Sequence, residues 1–206
     1  MERKKHFFEV LIAAALGIFS QVTAHAVQSR QWAQDFSLSQ SSSARLDAVK
    51  SVFQGPNLKA QPALTSAFSQ EPRASIRAWM VRAEHHVSPK NLSFFETALK
   101  DSNVQVREAA VVALGESQNP QAAKDLSALL STESDSGARM TIAFWLGFLG
   151  GPEAVTALSQ DLTHDQDPNV RLQVAQSLKK IGGGSALSAL SQAAKDPSAR
   201  VRGLAQ

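Results

Sequence analysis

Adjacent histidines, His85-His86, are the first residues in this chain whose type invites metal chemistry. Neighbouring side chains on a helix point about 100° apart, so the pair cannot converge on one ion. No third histidine lies nearby in sequence, and zinc needs three or four convergent ligands. They read as a solvated pair at a helix end. The run His164-Asp165-Gln166-Asp167-Pro168-Asn169 begins like a calcium loop. It has Val170 where the loop requires Gly and Gln176 where it requires a bidentate Glu. A turn-and-cap role already explains both carboxylates. Nucleophilic chemistry has as little to work with: the chain holds no Cys, no Tyr and no Gly-x-Ser-x-Gly. Gly182-Gly183-Gly184-Ser185 reads as a helix C-cap and loop, with no preceding strand to make it a phosphate cradle. The expectation is a protein with no catalytic set, no metal and no cofactor.

A different set of charged residues is periodic. Arg77, Arg107, Arg139, Arg171 and Arg202 follow one another at steps of 30, 32, 32 and 31 residues. Six residues before each stands a carboxylate: Glu71, Asp101, Glu133, Asp165 or Asp196. An apolar residue directly precedes each Arg, and Met80, Ala110, Ile142, Val174 and Ala205 lie three residues after it. Leu114, Leu146 and Leu178 recur seven residues after it, where Glu84 breaks the pattern. The acid is expected at the turn before a helix, accepting backbone N–H groups that have no partner within the helix. The Arg, inside that helix, can reach the acid of its own or the neighbouring repeat, which would make a ladder along a stack.

The clearest repeat runs from Asn91 to Glu116. Leu92, Phe95 and Leu99 share one face of a first helix, and Asp101-Ser102-Asn103 breaks it. Val106, Ala110, Val111 and Leu114 share one face of a second, with Gly115 where that helix is crossed or capped. One such hairpin buries a single face and needs copies stacked on it.

These residues resemble the HEAT repeat, most closely its short bacterial form in the PBS-lyase-like HEAT family. The resemblance rests on Asp101…Val106-Arg107…Ala110…Leu114-Gly115, on Asp165 through Arg171, and on Asp196-Pro197…Val201-Arg202. It covers roughly Leu64 to Gln206. It implies an all-α, right-handed α-solenoid of about four to five hairpins that serves mainly as an interaction scaffold. A bilin-handling, lyase-like role is known for only some of its members.

The chain opens on a targeting pattern. Arg3, Lys4 and Lys5 form a basic stretch, Val10 to Phe19 an apolar one, and Ala24-His25-Ala26 a small-x-small cleavage site. The apolar run is shorter than the ~20 residues a membrane span requires, so residues 1–26 are expected to be a signal peptide, with export to the periplasm or outside. No cysteine exists to carry a lipid at that site, and none is exposed to an oxidising compartment. The net charge of +3 falls to +2 without the leader, too balanced for a nucleic-acid surface. Residues 27–43 read as a polar arm or irregular lead-in, with Trp32 and Phe36 covering the end of the stack; their four-residue spacing also allows a short helix packed on the first repeat. Ala44 to Phe53 reads as a helix with Leu46, Val49 and Phe53 on one face, stopped by Gly55-Pro56. The repeat domain spans 44–206, with repeats near 61–90, 91–121, 122–152, 153–184 and 185–206.

In such stacks the second helices line the concave face. Outward positions lie one, five and nine residues past the repeated Arg. They give Ala78, Arg82 and His86; Glu108, Val112 and Glu116; Met140, Phe144 and Phe148; and Leu172, Gln176 and Lys180. Val112, Met140, Phe144, Phe148 and Leu172 make the middle of this surface apolar, which marks it as a candidate docking face. The expected function is non-enzymatic binding of a protein or peptide, with no stable membrane insertion after cleavage. A lyase-like or cofactor-handling role, and structural self-assembly through the C-terminal repeat, are the alternatives.

Overall fold

The computed structural model describes residues 28–54 and 57–205, all helices and connecting turns. The leader expected at residues 1–26 and the Gly55-Pro56 stop lie outside these described residues. Two compact units divide the chain, Met1–Ser88 and Pro89–Gln206.

In the first unit, residues 28–35 form helix α1, the short helix that the Trp32/Phe36 spacing allows, rather than an irregular arm. Trp32 and Phe36 are buried and stack at 5.4 Å, so the four-residue spacing places both rings inward. Helix α2 (Ser42–Ser51) begins at the Ser41 side chain, which accepts the Ala44 N–H. Its inward face is Val49, followed by Val52 in a short 3-10 turn, and Phe53 points to solvent. The expected Leu46/Val49/Phe53 face is therefore turned by one position at its end, because the α-helix tightens to 3-10 at Val52. Helices α3 (Gln61–Phe68) and α4 (Ala74–Val87) form a hairpin, and α2 packs on α4. Ala78, expected outward, is buried on α4. Glu84, which broke the leucine pattern, is fully buried and accepts a hydrogen bond from Gln61 Nε2 at 3.2 Å.

The second unit contains α5 (Leu92–Ala98), α6 (Val104–Glu116), α7 (Pro120–Leu130), α8 (Ser136–Leu149), α9 (Gly151–His164) and α10 (Pro168–Ile181). Helices α11 (Gly183–Leu190) and α12 (Ala199–Arg202) follow. α8 packs against both α6 and α10, while α7 packs on α9, so second helices and first helices form separate layers. This is an α-solenoid. Leu114, Leu126, Ile142, Leu146, Leu158 and Leu178 are all fully buried between the layers. Each such side chain contributes about 1.5–3 kcal/mol of burial.

Glycine sets how closely the second helices approach. A Cβ on Gly115 would fall inside the Trp145 indole of α8, and one on Gly147 would stand 2.7 Å from Ser177 Cβ on α10. Gly115 therefore marks a crossing. Gly150 and Gly182, 32 positions apart, hold φ of +67° and +68°, joining α8 to α9 and α10 to α11 without an intervening loop. Gly183 to Ser185, expected as loop, are already the first turn of α11.

Candidate functional site: the charged ladder and the second-helix face

The periodic arginines and acids are joined across repeats. Arg107 Nε and Nη2 each donate to a Glu133 carboxylate oxygen at 2.7 Å. Arg139 makes the same bidentate contact with Asp165, and Arg171 with Asp196, all within 2.6–3.1 Å. Each guanidinium thus ties a second helix to the turn of the next hairpin. Its remaining nitrogen, Nη1, donates to the backbone carbonyl six residues upstream, that of its own repeat's acid. This holds for Arg77 with Glu71, Arg107 with Asp101, Arg139 with Glu133, Arg171 with Asp165 and Arg202 with Asp196.

The acids close the turn from the other side. Glu71, Asp101, Glu133, Asp165 and Asp196 each accept the backbone N–H two residues on. The acids thus stand at the turn ahead of the helix, while the N–H groups of the helix's own first turn are taken by the next residues but one, Asn103, Asp135 and Asp167. Asp165 and Asp167 are thereby engaged by Arg139 and by the start of α10.

Glu71, Glu133 and Asp196 are kept charged in a buried setting. Burial alone pushes the Glu133 pKa up. The Arg107 hydrogen bonds, the Asp135 and Ser134 N–H groups and the Arg107 charge together outweigh it and hold the pKa below its ordinary value. Glu71 behaves in the same way: burial raises it, and Arg45, the Arg73 N–H and Arg77 bring it below normal. Asp196 is held low first by the Arg171 hydrogen bonds, against burial.

One rung was missing from the sequence pattern. Arg45, itself buried, donates Nε and Nη2 to Glu71 at 2.7 and 3.1 Å. It lies 32 residues before Arg77, within the 30–32-residue steps of its successors, with Ala48 and Val52 at the apolar offsets. Ser39 stands where the acid would be, so the acid–Arg pair that marks the other repeats is absent there.

On the opposite side of the second helices, the outward positions five and nine residues past each Arg are all exposed: Val112, Phe144, Gln176 and then Glu116, Phe148, Lys180 in the second unit. Val112, Phe144 and Phe148 are 36%, 42% and 53% exposed, while Met140 and Leu172 are half-buried. Phe144, Trp145 and Phe148 form one ring cluster, with centroids 4.7–5.7 Å apart, and Lys180 Nζ lies over the Phe148 ring. Trp145, absent from the candidates because it falls beside the outward stripe, supports both phenylalanines.

A cleft of about 390 Å³ with a mixed lining lies between α7 and α9, where Ser127, Ser131, Gln160, Asp161 and His164 meet Leu130 and Ala157. Asp161 Oδ2 and Ser127 Oγ are buried without a protein partner. Burial and then the Asp165 charge push the Asp161 pKa up to about 6, against the opposing charges of Arg139 and His164. A carboxylate whose pKa rises on folding favours the folded state below its unfolded value, and that contribution is lost as pH rises through about 6. Asp161→Asn should therefore raise the melting temperature by roughly 2–8 °C at pH 7.5, from about 1–2 kcal/mol. The gain should vanish below about pH 4. Thermal melts at both pH values check this; an equal gain at both would remove titration as its cause.

No curated protein matches the sequence. Among solved structures, that of human deoxyhypusine hydroxylase in complex with glycerol aligns at 16% identity and a TM-score of 0.43, over 90% of this chain and 96% of that one. The HEAT repeats family matches residues 60–144 and 132–206. The periodic turn acid, ladder arginine and stacked hairpins are thus those of a HEAT-repeat protein, and the chain belongs to that family.

Proposed function

We propose that this HEAT-repeat chain is an exported, non-catalytic scaffold that binds a protein or peptide on the α6–α8–α10 face. One observation carries the reading: Val112, Phe144 and Phe148 stand exposed on adjacent second helices, with Met140 and Leu172 half-buried beside them. Contiguous exposed apolar surface of this kind is a recurrent mark of an interaction site, and aromatic rings on a rigid element are the side chains that most often anchor one. The ladder charges on the other side are absorbed in holding hairpins together, which leaves the rings to do the binding. Export is supported by Arg3-Lys4-Lys5, the apolar stretch to Phe19 and Ala24-His25-Ala26, together with the absence of cysteine. Within the family, the acid–apolar–Arg register supports kinship with the short bacterial PBS-lyase-like members.

Phe144→Asp should reduce capture of the partner from an envelope fraction at least tenfold, with unchanged helical circular dichroism, because it places a charge in the centre of the anchor. Lys124→Glu, an exposed change on α7, should leave capture intact. Equal capture by all three proteins would remove the docking role from this face.

A further inference from the structure

The first unit carries an aromatic cluster of different chemistry. Trp79 of α4 has Lys50 Nζ of α2 at 5.3 Å and the Arg82 guanidinium at 5.3 Å from its ring centroid. Phe53 meets the same indole edge-on at 6.0 Å, and the His86 ring lies 5.1 Å from Phe53. Lys50, Phe53, Arg82 and His86 are exposed, and Trp79 is half-buried beneath them.

Two helices thus bring three basic side chains onto one pair of rings. Among the described residues neither Lys50 nor Arg82 is paired with a carboxylate. Asp47, one turn before Lys50, is the sole acid of α2, and Glu84, the sole acid of α4, is buried on Gln61. Cation–π contacts with an indole hold a charged head in place without neutralising it. The N–H edges of the Arg82 guanidinium stay available for a planar, bidentate acceptor.

We propose that this surface is a docking site for an acidic segment of a partner protein, in extended conformation. Charge complementarity selects the occupant. Each cation lies 5.3 Å from the same centroid, so the two stand within twice that distance of one another. An extended chain rises about 3.3 Å per residue and turns alternate side chains to one face. Two carboxylates two positions apart therefore reach Lys50 and Arg82 together, and a third same-face residue, apolar, rests on Phe53. A single-stranded nucleic acid suits the site less well, because the indole on which a base would stack is already covered by the cations. A membrane surface calls for about 4–8 clustered basic residues, more than stand here. The site is distinct in residues and chemistry from the apolar face of the second unit, and its occupant does not depend on that reading.

The test is fluorescence anisotropy with the full chain and a labelled peptide carrying Glu, Glu and Phe at alternate positions, serine between them. Wild type should bind it with an affinity that falls as salt rises. The double variant Lys50→Glu, Arg82→Glu should lose roughly tenfold or more. The double variant Arg30→Glu, Lys124→Glu changes the net charge equally at exposed positions elsewhere and should bind as wild type does. If circular dichroism shows the first variant misfolded, Lys50→Gln with Arg82→Gln takes its place, with the same direction expected. No binding by wild type, equal loss in both double variants, or tighter binding of a thymidine oligonucleotide that displaces the peptide would each overturn the proposal.

Discussion

Glu133→Ala should destabilise the chain by about 3 kcal/mol, at the lower edge of what breaking a buried ion pair costs. Its carboxylate is wholly buried, and the Arg107 guanidinium facing it is only 15% exposed. Removing the acid strands that cation and also frees the Asp135 N–H at the turn. For a chain of this length the melting temperature should fall by roughly 6–12 °C. An exposed salt bridge would cost under about 1 kcal/mol, so the size of the loss separates the two cases. Replacing both partners by apolar residues, Arg107→Met with Glu133→Leu, should recover much of it, since no buried charge then lacks a partner.

The ladder also sets a direction with pH. Glu133 has a folded pKa below its ordinary value, so its contribution is present above the unfolded pKa and is lost as pH falls through the folded one. The stability gap between wild type and Glu133→Gln should be full at neutral pH and shrink below about pH 4. Urea titrations at several pH values measure it. A gap that widened in acid would contradict the ion-pair reading.

The second large effect concerns Gly115. Gly115 stands in the last turn of α6, so on helix propensity alone its replacement by alanine stabilises by less than the ~1 kcal/mol of a helix interior. Here the new Cβ falls within the Trp145 indole, and overpacking of this kind costs about 1–3 kcal/mol. Sterics should outweigh propensity, and Gly115→Val, whose branched side chain cannot be tucked away, should lose about 3 kcal/mol. Because Trp145 braces Phe144 and Phe148, the same variant should alter near-ultraviolet circular dichroism and weaken partner capture. Trimming the ring in the double variant Gly115→Ala, Trp145→Leu should restore stability. A stabilised Gly115→Ala would show that the indole swings aside freely.

The hairpins were legible in the sequence because the ladder motif superposes three demands on one register. An acid closes the turn, an Arg bridges to the next turn, and aliphatic residues three and seven positions later face the core. Residues serving several contacts at once leave a periodic trace. Arg45 escaped because its turn lacks the acid, although its spacing and its apolar offsets were in step. The caps at Asn103, Asp135 and Asp167 were masked by the acids two residues before them, since either position can accept an N–H. Ala78 shows the limit of counting along one helix: its offset points outward in later repeats, where Met140 and Leu172 are half-buried, yet in α4 it is covered. The Trp145 bracing, the Asp161 cleft and the Lys50–Trp79–Arg82 array depend on which helices lie side by side, and periodicity does not carry that.

Site-specific photo-crosslinking from the outward rings tests most directly whether the second-helix face is where a partner docks. A benzophenone side chain would replace Phe144 or Phe148 in the full chain, and in parallel Lys124 or Glu153, exposed on α7 and α9. Irradiation in the native envelope fraction should give one discrete adduct from positions 144 and 148 and none from 124 and 153. Adducts formed only from positions 124 and 153 would place the interface on the first-helix side and contradict the proposed function.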